Sequence, residues 1–126
     1  MKPQLKHSTP SVLFIILLFL GQWSFGQQKT PIYSLSEAGS HIGEYATVRG
    51  VVSAVFESKK GNYFLNMGGD YPNQLFTAVI FKGSSSKFAD IVAFEGKTIE
   101  VTGKIKSYQG KPEIILDLPS YIRVVR

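Results

Sequence analysis

The sequence predicts an all-β domain preceded by a segment that is not part of the fold. Three observations carry this. Between residues 46 and 117, β-branched and aromatic residues gather in short runs, Gly- and Asn-rich turn clusters separate the runs, and only one brief stretch has helical spacing. At 126 residues the chain has room for one domain and no second core.

The first 26 residues have the three parts of a secretory leader. Lys2, Lys6 and His7 supply positive charge, Val12 to Leu20 is unbroken and apolar, and Ser24-Phe25-Gly26 places small residues before a cut at Gln27. The apolar stretch from Val12 to Trp23 is shorter than the roughly 20 residues that cross a bilayer. The expectation is therefore an exported protein, periplasmic or secreted, whose mature form has no stable membrane span. The chain has no cysteine, which removes lipid attachment, disulfides, thiolate metal sites and Cys nucleophiles. Losing Lys2 and Lys6 from 14 basic residues, and none of the 9 acidic ones, leaves a net charge of +3. Such a balance fits a polyanion partner and fits an ordinary solvated surface equally well.

Residues 27–33 are a short polar lead-in, and the domain is expected over 34–126. Ser34-Leu35-Ser36-Glu37 has the spacing of a capping box, which predicts a short N-terminal helix ending at Gly39 or Gly43. The first strand spans Thr47 to Phe56, with a bulge or sharp bend expected at Gly50. After the turn Ser58–Asn62, Tyr63–Met67 is the second strand, and after the loop Gly68–Asn73, Phe76–Phe81 is the third. Ser84–Ser86 can cap a short helix through Lys87–Phe94, where Phe88, Ile91 and Val92 recur at i, i+3 and i+4. Thr98–Tyr108 alternates cleanly as the fourth strand, Gln109-Gly110-Lys111 turns a hairpin, and Pro112–Asp117 is the fifth. Tyr121–Val125 closes or continues the sheet. The order β-β-β-α-β-β is that of a five-stranded Greek-key barrel of the OB type, with the short helix between the third and fourth strands.

The residues offer little to catalysis. His41 is the only histidine after residue 26, no Gly-x-Ser-x-Gly elbow occurs, and nothing in the spacing of Asp70, Glu113 and Asp117 pairs two carboxyls. Met67-Gly68-Gly69-Asp70 lacks a phosphate-binding Lys-Ser/Thr and is poor in oxygen ligands for a cation. The expectation is a non-enzyme with no metal and no cofactor.

A binding surface remains. An OB barrel presents its second and third strands to single-stranded nucleic acid, where rings stack on bases and cations follow phosphates. If Tyr63, Leu65 and Met67 point inward, Phe64 points outward between Asn62 and Asn66; with the parity inverted, Phe64 is a core residue. Tyr71 in the following loop and Tyr108 at the end of the fourth strand are further stacking candidates, each equally able to pack a barrel end. Arg49, Lys104 and Lys106 fall on outward positions. The candidate site is therefore Arg49, Phe64, Asn66, Tyr71, Lys104 and Tyr108.

These residues also carry a resemblance. His41–Val52 followed by Gly61–Met67 is similar to the opening of nucleic-acid-binding OB domains of the tRNA anticodon-binding type. The resemblance implies that Phe64 takes the place of that family's base-stacking ring. The turn departs from the pattern, since Gly68-Gly69-Asp70-Tyr71-Pro72 is longer than the family's. Ile99–Ile105 and Tyr108–Ile114 resemble OB modules that accompany exported bacterial nucleases, and their stand-alone exported relatives. Together these imply a non-catalytic module for single-stranded nucleic acid or another polyanion. The alternatives are an envelope module that binds a protein, glycan or small ligand, and an accessory subunit of an enzyme.

Overall fold

The computed structural model describes residues 29–126. The leader expected over residues 1–26 lies outside them. The strands are β1 (Ile32–Ser34), β2 (Tyr45–Glu57), β3 (Tyr63–Met67), β4 (Phe76–Ile80), β5 (Thr98–Lys104), β6 (Lys106–Tyr108), β7 (Lys111–Ile115) and β8 (Ile122–Val124). They form a single open sheet in the order β6-β7-β4-β3-β2-β5-β8, with β1 added to β2. The β1–β2 and β4–β7 pairs are parallel and the rest antiparallel.

The thirteen-residue β2 belongs to both halves of the sheet. Tyr45–Val51 pair with β5, and Val52–Glu57 pair with β3. Leu65, Met67, Phe76, Ile80, Ile99, Ile105, Ile114 and Leu116 fill the concave interior and are fully buried. The sheet curls until β5 meets β7. A Cβ on Gly103 would lie 2.8 Å from Ile114 Cγ2, so glycine at this position allows the approach.

Several expectations need correction. The strand count is eight rather than five. The long fourth strand divides at Ile105, whose backbone bonds to Gly43 and Glu44 instead of continuing one ladder. Ile32–Ser34, which straddles the end of the expected lead-in at residue 33, is a strand because Tyr33 is held from its side chain. Its ring stacks on His41 with centroids 3.8 Å apart, and its hydroxyl donates to Glu44 Oε1 at 2.7 Å.

The N-terminal helix is a 3-10 turn at Ala38–His41. Half of the capping box survives, with the Ser34 N–H donating to Glu37 Oε1 at 2.8 Å. The helix expected over Lys87–Phe94 is absent. A single turn, α1 (Lys82–Ser85), precedes that stretch, and only Val92–Phe94 within it is helical, as 3-10. Phe88 and Ile91 are buried as their spacing requires, but Val92 is exposed, and Asp90 Oδ1 accepts from the Ala93 amide in a local turn.

Gly50 is not the bulge. Its place is fixed by Leu35, whose side chain lies 2.5–2.6 Å from where a Cβ would stand. The register instead shifts at Ser53, between Val52↔Met67 and Ala54↔Asn66.

Candidate functional site

The bulge at Ser53 makes the site. Before it, Ala46, Val48 and Val52 face the core. One extra residue reverses the alternation, so Val55 packs inward while Ala54 and Phe56 turn to the outer face. Without that residue, Phe56 would share the face of Val52.

On this outer face the register builds two adjacent rows. One runs Phe56↔Phe64↔Val79↔Ile115 across β2, β3, β4 and β7. The other runs Ala54↔Asn66↔Thr77↔Glu113↔Lys106, ending on β6. An aromatic and aliphatic stripe thus lies beside a polar one. Phe56 and Phe64 form a tilted ring pair with centroids 6.3 Å apart.

Loops at the two ends make the face a groove. The chain from Gly68 to Leu75 closes through the Leu75 N–H to Met67 O, and the Gly69 N–H donates to Ser53 Oγ at 3.0 Å, tying this loop to the bulge. Opposite stands the β6–β7 hairpin. Its two central residues, Gln109 and Gly110, both have positive φ (51° and 80°), as a type I′ turn demands. Tyr71 and Tyr108 rise from these loops, 74% and 61% exposed. The groove holds about 940 Å³ and is also lined by Phe56, Phe64, Phe81 and Pro72.

The floor carries a directed chain of hydrogen bonds. Gln74 Nε2 donates to Thr77 Oγ1, and Thr77 Oγ1 donates to Asn66 Oδ1, each at 3.3 Å. All three side chains are buried, and Gln74 Oε1 has no partner among the described residues. Lys111 Nζ caps the Gln74 carbonyl at 3.0 Å. Burial raises the Glu113 carboxyl above its ordinary range, against the opposing pull of Lys106 on the neighbouring strand. Lys111 and Glu113 are the charged residues of the lining, so the groove is close to neutral.

Of the six sequence-predicted site residues, Phe64, Asn66, Tyr71 and Tyr108 meet in this groove. Arg49 does not. It lies on the β2–β5–β8 half, where its Nε donates to Glu100 Oε2 at 2.7 Å while Arg123 Nε donates to the other oxygen at 2.9 Å. Lys104 lines a second cleft of about 450 Å³ with Tyr45, Lys106, Asp117 and Tyr121. Sequence reasoning missed Phe56, whose outward position depends on the bulge, and the buried amide of Gln74. The Asn-Gln pair after Pro72 was the available signal for a structured loop.

No family model and no curated protein matches the chain. Among solved structures, the OB domain of a Methanosarcina mazei protein superposes with a TM-score of 0.54 at 11% identity, covering 78% of this chain and 86% of that one. The fold is of the OB type. An aspartyl-tRNA synthetase from Entamoeba histolytica gives 0.52 at 19% identity, over 76% of this chain and 21% of that one. An OBody bound to hen egg-white lysozyme gives 0.51 at 13%, over 79% and 96%. The chain thus spans about a fifth of the synthetase, and at these identities the likeness is one of OB fold. No helix among the described residues is long and apolar enough to cross a membrane.

Proposed function

We propose that this protein is an exported, non-catalytic OB module that binds single-stranded nucleic acid in the groove over β2, β3, β4 and β7. The observation that carries the reading is the aromatic row. Phe56 and Phe64 lie side by side on an outer face, flanked at the two ends by Tyr71 and Tyr108, which gives unstacked bases four rings to meet. The polar row of Asn66, Thr77 and Gln74 runs alongside, where base edges would fall. Four of the OB domain's strands present this surface, and OB domains use the corresponding face for oligonucleotides and oligosaccharides.

The neutral lining shapes the expected thermodynamics. Stacking supplies most of the affinity in the groove, because Lys111 is its one cation and Glu113 opposes phosphate. Phe64→Ala is expected to weaken binding of a labelled oligothymidine, followed by fluorescence anisotropy at low salt, by roughly 5- to 150-fold, the worth of one stacked base at about 1–3 kcal/mol. An unchanged affinity counts against the groove.

Export rests on the leader alone. Its test is the intact mass of the protein recovered from outside the cytoplasm, expected to begin at Gln27; a mass that retains residues 1–26 refutes cleavage there. A second reading, an envelope module for a protein or glycan, is favoured by the neutral groove and by the lysozyme-bound OBody of the same fold. Under that reading oligothymidine does not bind at any salt concentration.

A further inference from the structure

The cleft that holds Lys104 is contiguous with the groove. Phe81, 44% exposed, lines both. The two rows of the outer face also run from one into the other. The apolar row passes from Val79 in the groove to Ile115 in the cleft, and the polar row from Glu113 in the groove to Lys106 in the cleft. Neighbouring strands are about 4.8 Å apart, so each of these steps is one strand wide.

Charge changes sharply across that step. The groove is neutral, whereas the cleft carries Lys104 and Lys106 against Asp117, and Lys87 Nζ reaches the Asp117 carbonyl at 3.4 Å on its margin. Lys104 and Lys106 are both exposed, and neither makes an ion pair among the described residues. A single strand whose bases lie on Phe56 and Phe64 carries a phosphate for every nucleotide, and the groove has one lysine to meet them.

Resting on the single-strand reading, we infer that the Lys104–Lys106 cleft is a backbone subsite, which takes the phosphates of the strand as it leaves the groove over Phe81. Bases are held on the aromatic row and phosphates in the cleft beyond β7, so a strand must be long enough to cover both before the lysines contribute. Affinity then depends on length, and salt dependence comes mostly from the cleft.

The test compares Lys104→Ala/Lys106→Ala with Lys59→Ala/Lys60→Ala, which removes the same charge from the β2–β3 turn outside both cavities. All four side chains are exposed, so both variants keep the core intact. Affinities for oligothymidines of four and twelve nucleotides are measured across a salt series. For the twelve-nucleotide strand, loss of the cleft lysines is expected to flatten the slope of log K against log salt by roughly 1.4, at about 0.7 per phosphate, and the turn variant by much less. The four-nucleotide strand is expected to change less than twofold with either variant.

Equal slopes for the two variants, or an equal effect at both lengths, overturn the subsite while leaving the groove intact. A wild-type protein that binds neither strand overturns the subsite together with the reading on which it rests.

Discussion

Glu100 lies on the outer face of β5 but is only 6% exposed, because Arg49 and Arg123 close over it from β2 and β8. Hydrogen bonding from Arg49, reinforced by Arg123, outweighs burial and holds its carboxyl below the ordinary value of 4.5. A depressed carboxyl stabilises the fold fully above that value, and the contribution is lost as pH falls through the lower folded value. Glu100→Gln is expected to cost about 1–3 kcal/mol at neutral pH, as charge-assisted hydrogen bonds do. It should also flatten the fall in Tm below pH 4.5. Calorimetry across pH 2–7 checks both, and an acid limb identical to wild type rules out the Arg49–Glu100–Arg123 cluster as its source. The same cluster holds Arg49 apart from the groove: its guanidinium is engaged on the other half of the sheet.

At the scale of elements, period-two alternation was legible wherever a strand runs unbroken. It offered the register that the fold adopts, with Leu65 and Met67 inside and Phe64 and Asn66 outside, and it put Ile99, Val101 and Ile105 on one side, which is the core. What it did not reveal were features decided across the fold. The bulge depends on how Ser53 meets β3 and the Gly68–Leu75 loop, β1 on the Tyr33–His41–Glu44 contacts, and the missing helix on how little of Lys87–Phe94 the core can accept. Four candidate site residues were found because they lie on β3 or beside its turns. Arg49 and Lys104 lie outside the groove because outward parity does not say which half of a curled sheet a residue faces.

Gly103 carries a prediction at this scale. It stands where β5 meets β7, with Ile114 Cγ2 2.8 Å from an added Cβ. Gly103→Ala is expected to destabilise by about 1–3 kcal/mol through overpacking, read from denaturant unfolding. Combined with Ile114→Ala, which removes Cγ2, the two losses should be less than additive. If the single variant is as stable as wild type, the seam is not tightly packed there.

The molecule as a whole divides its outer surface by charge. The β2–β3–β4–β7 face is aromatic and neutral, the adjoining cleft is basic, and the β2–β5–β8 face is an internally satisfied Arg–Glu–Arg row. One residue, Ser53, sets this division by reversing which side of β2 meets the core. On the proposed function, the face created by this reversal binds single strands through its rings. Oligothymidine affinity at low salt tests it most directly in three proteins: wild type, Phe64→Ala, and Val51→Ala. Val51 is an exposed apolar residue on β2 before the bulge, outside both cavities, and serves as the matched truncation. Phe64→Ala is expected to lose at least fivefold in affinity and Val51→Ala less than twofold. Equal losses from the two variants, or none from either, would contradict it.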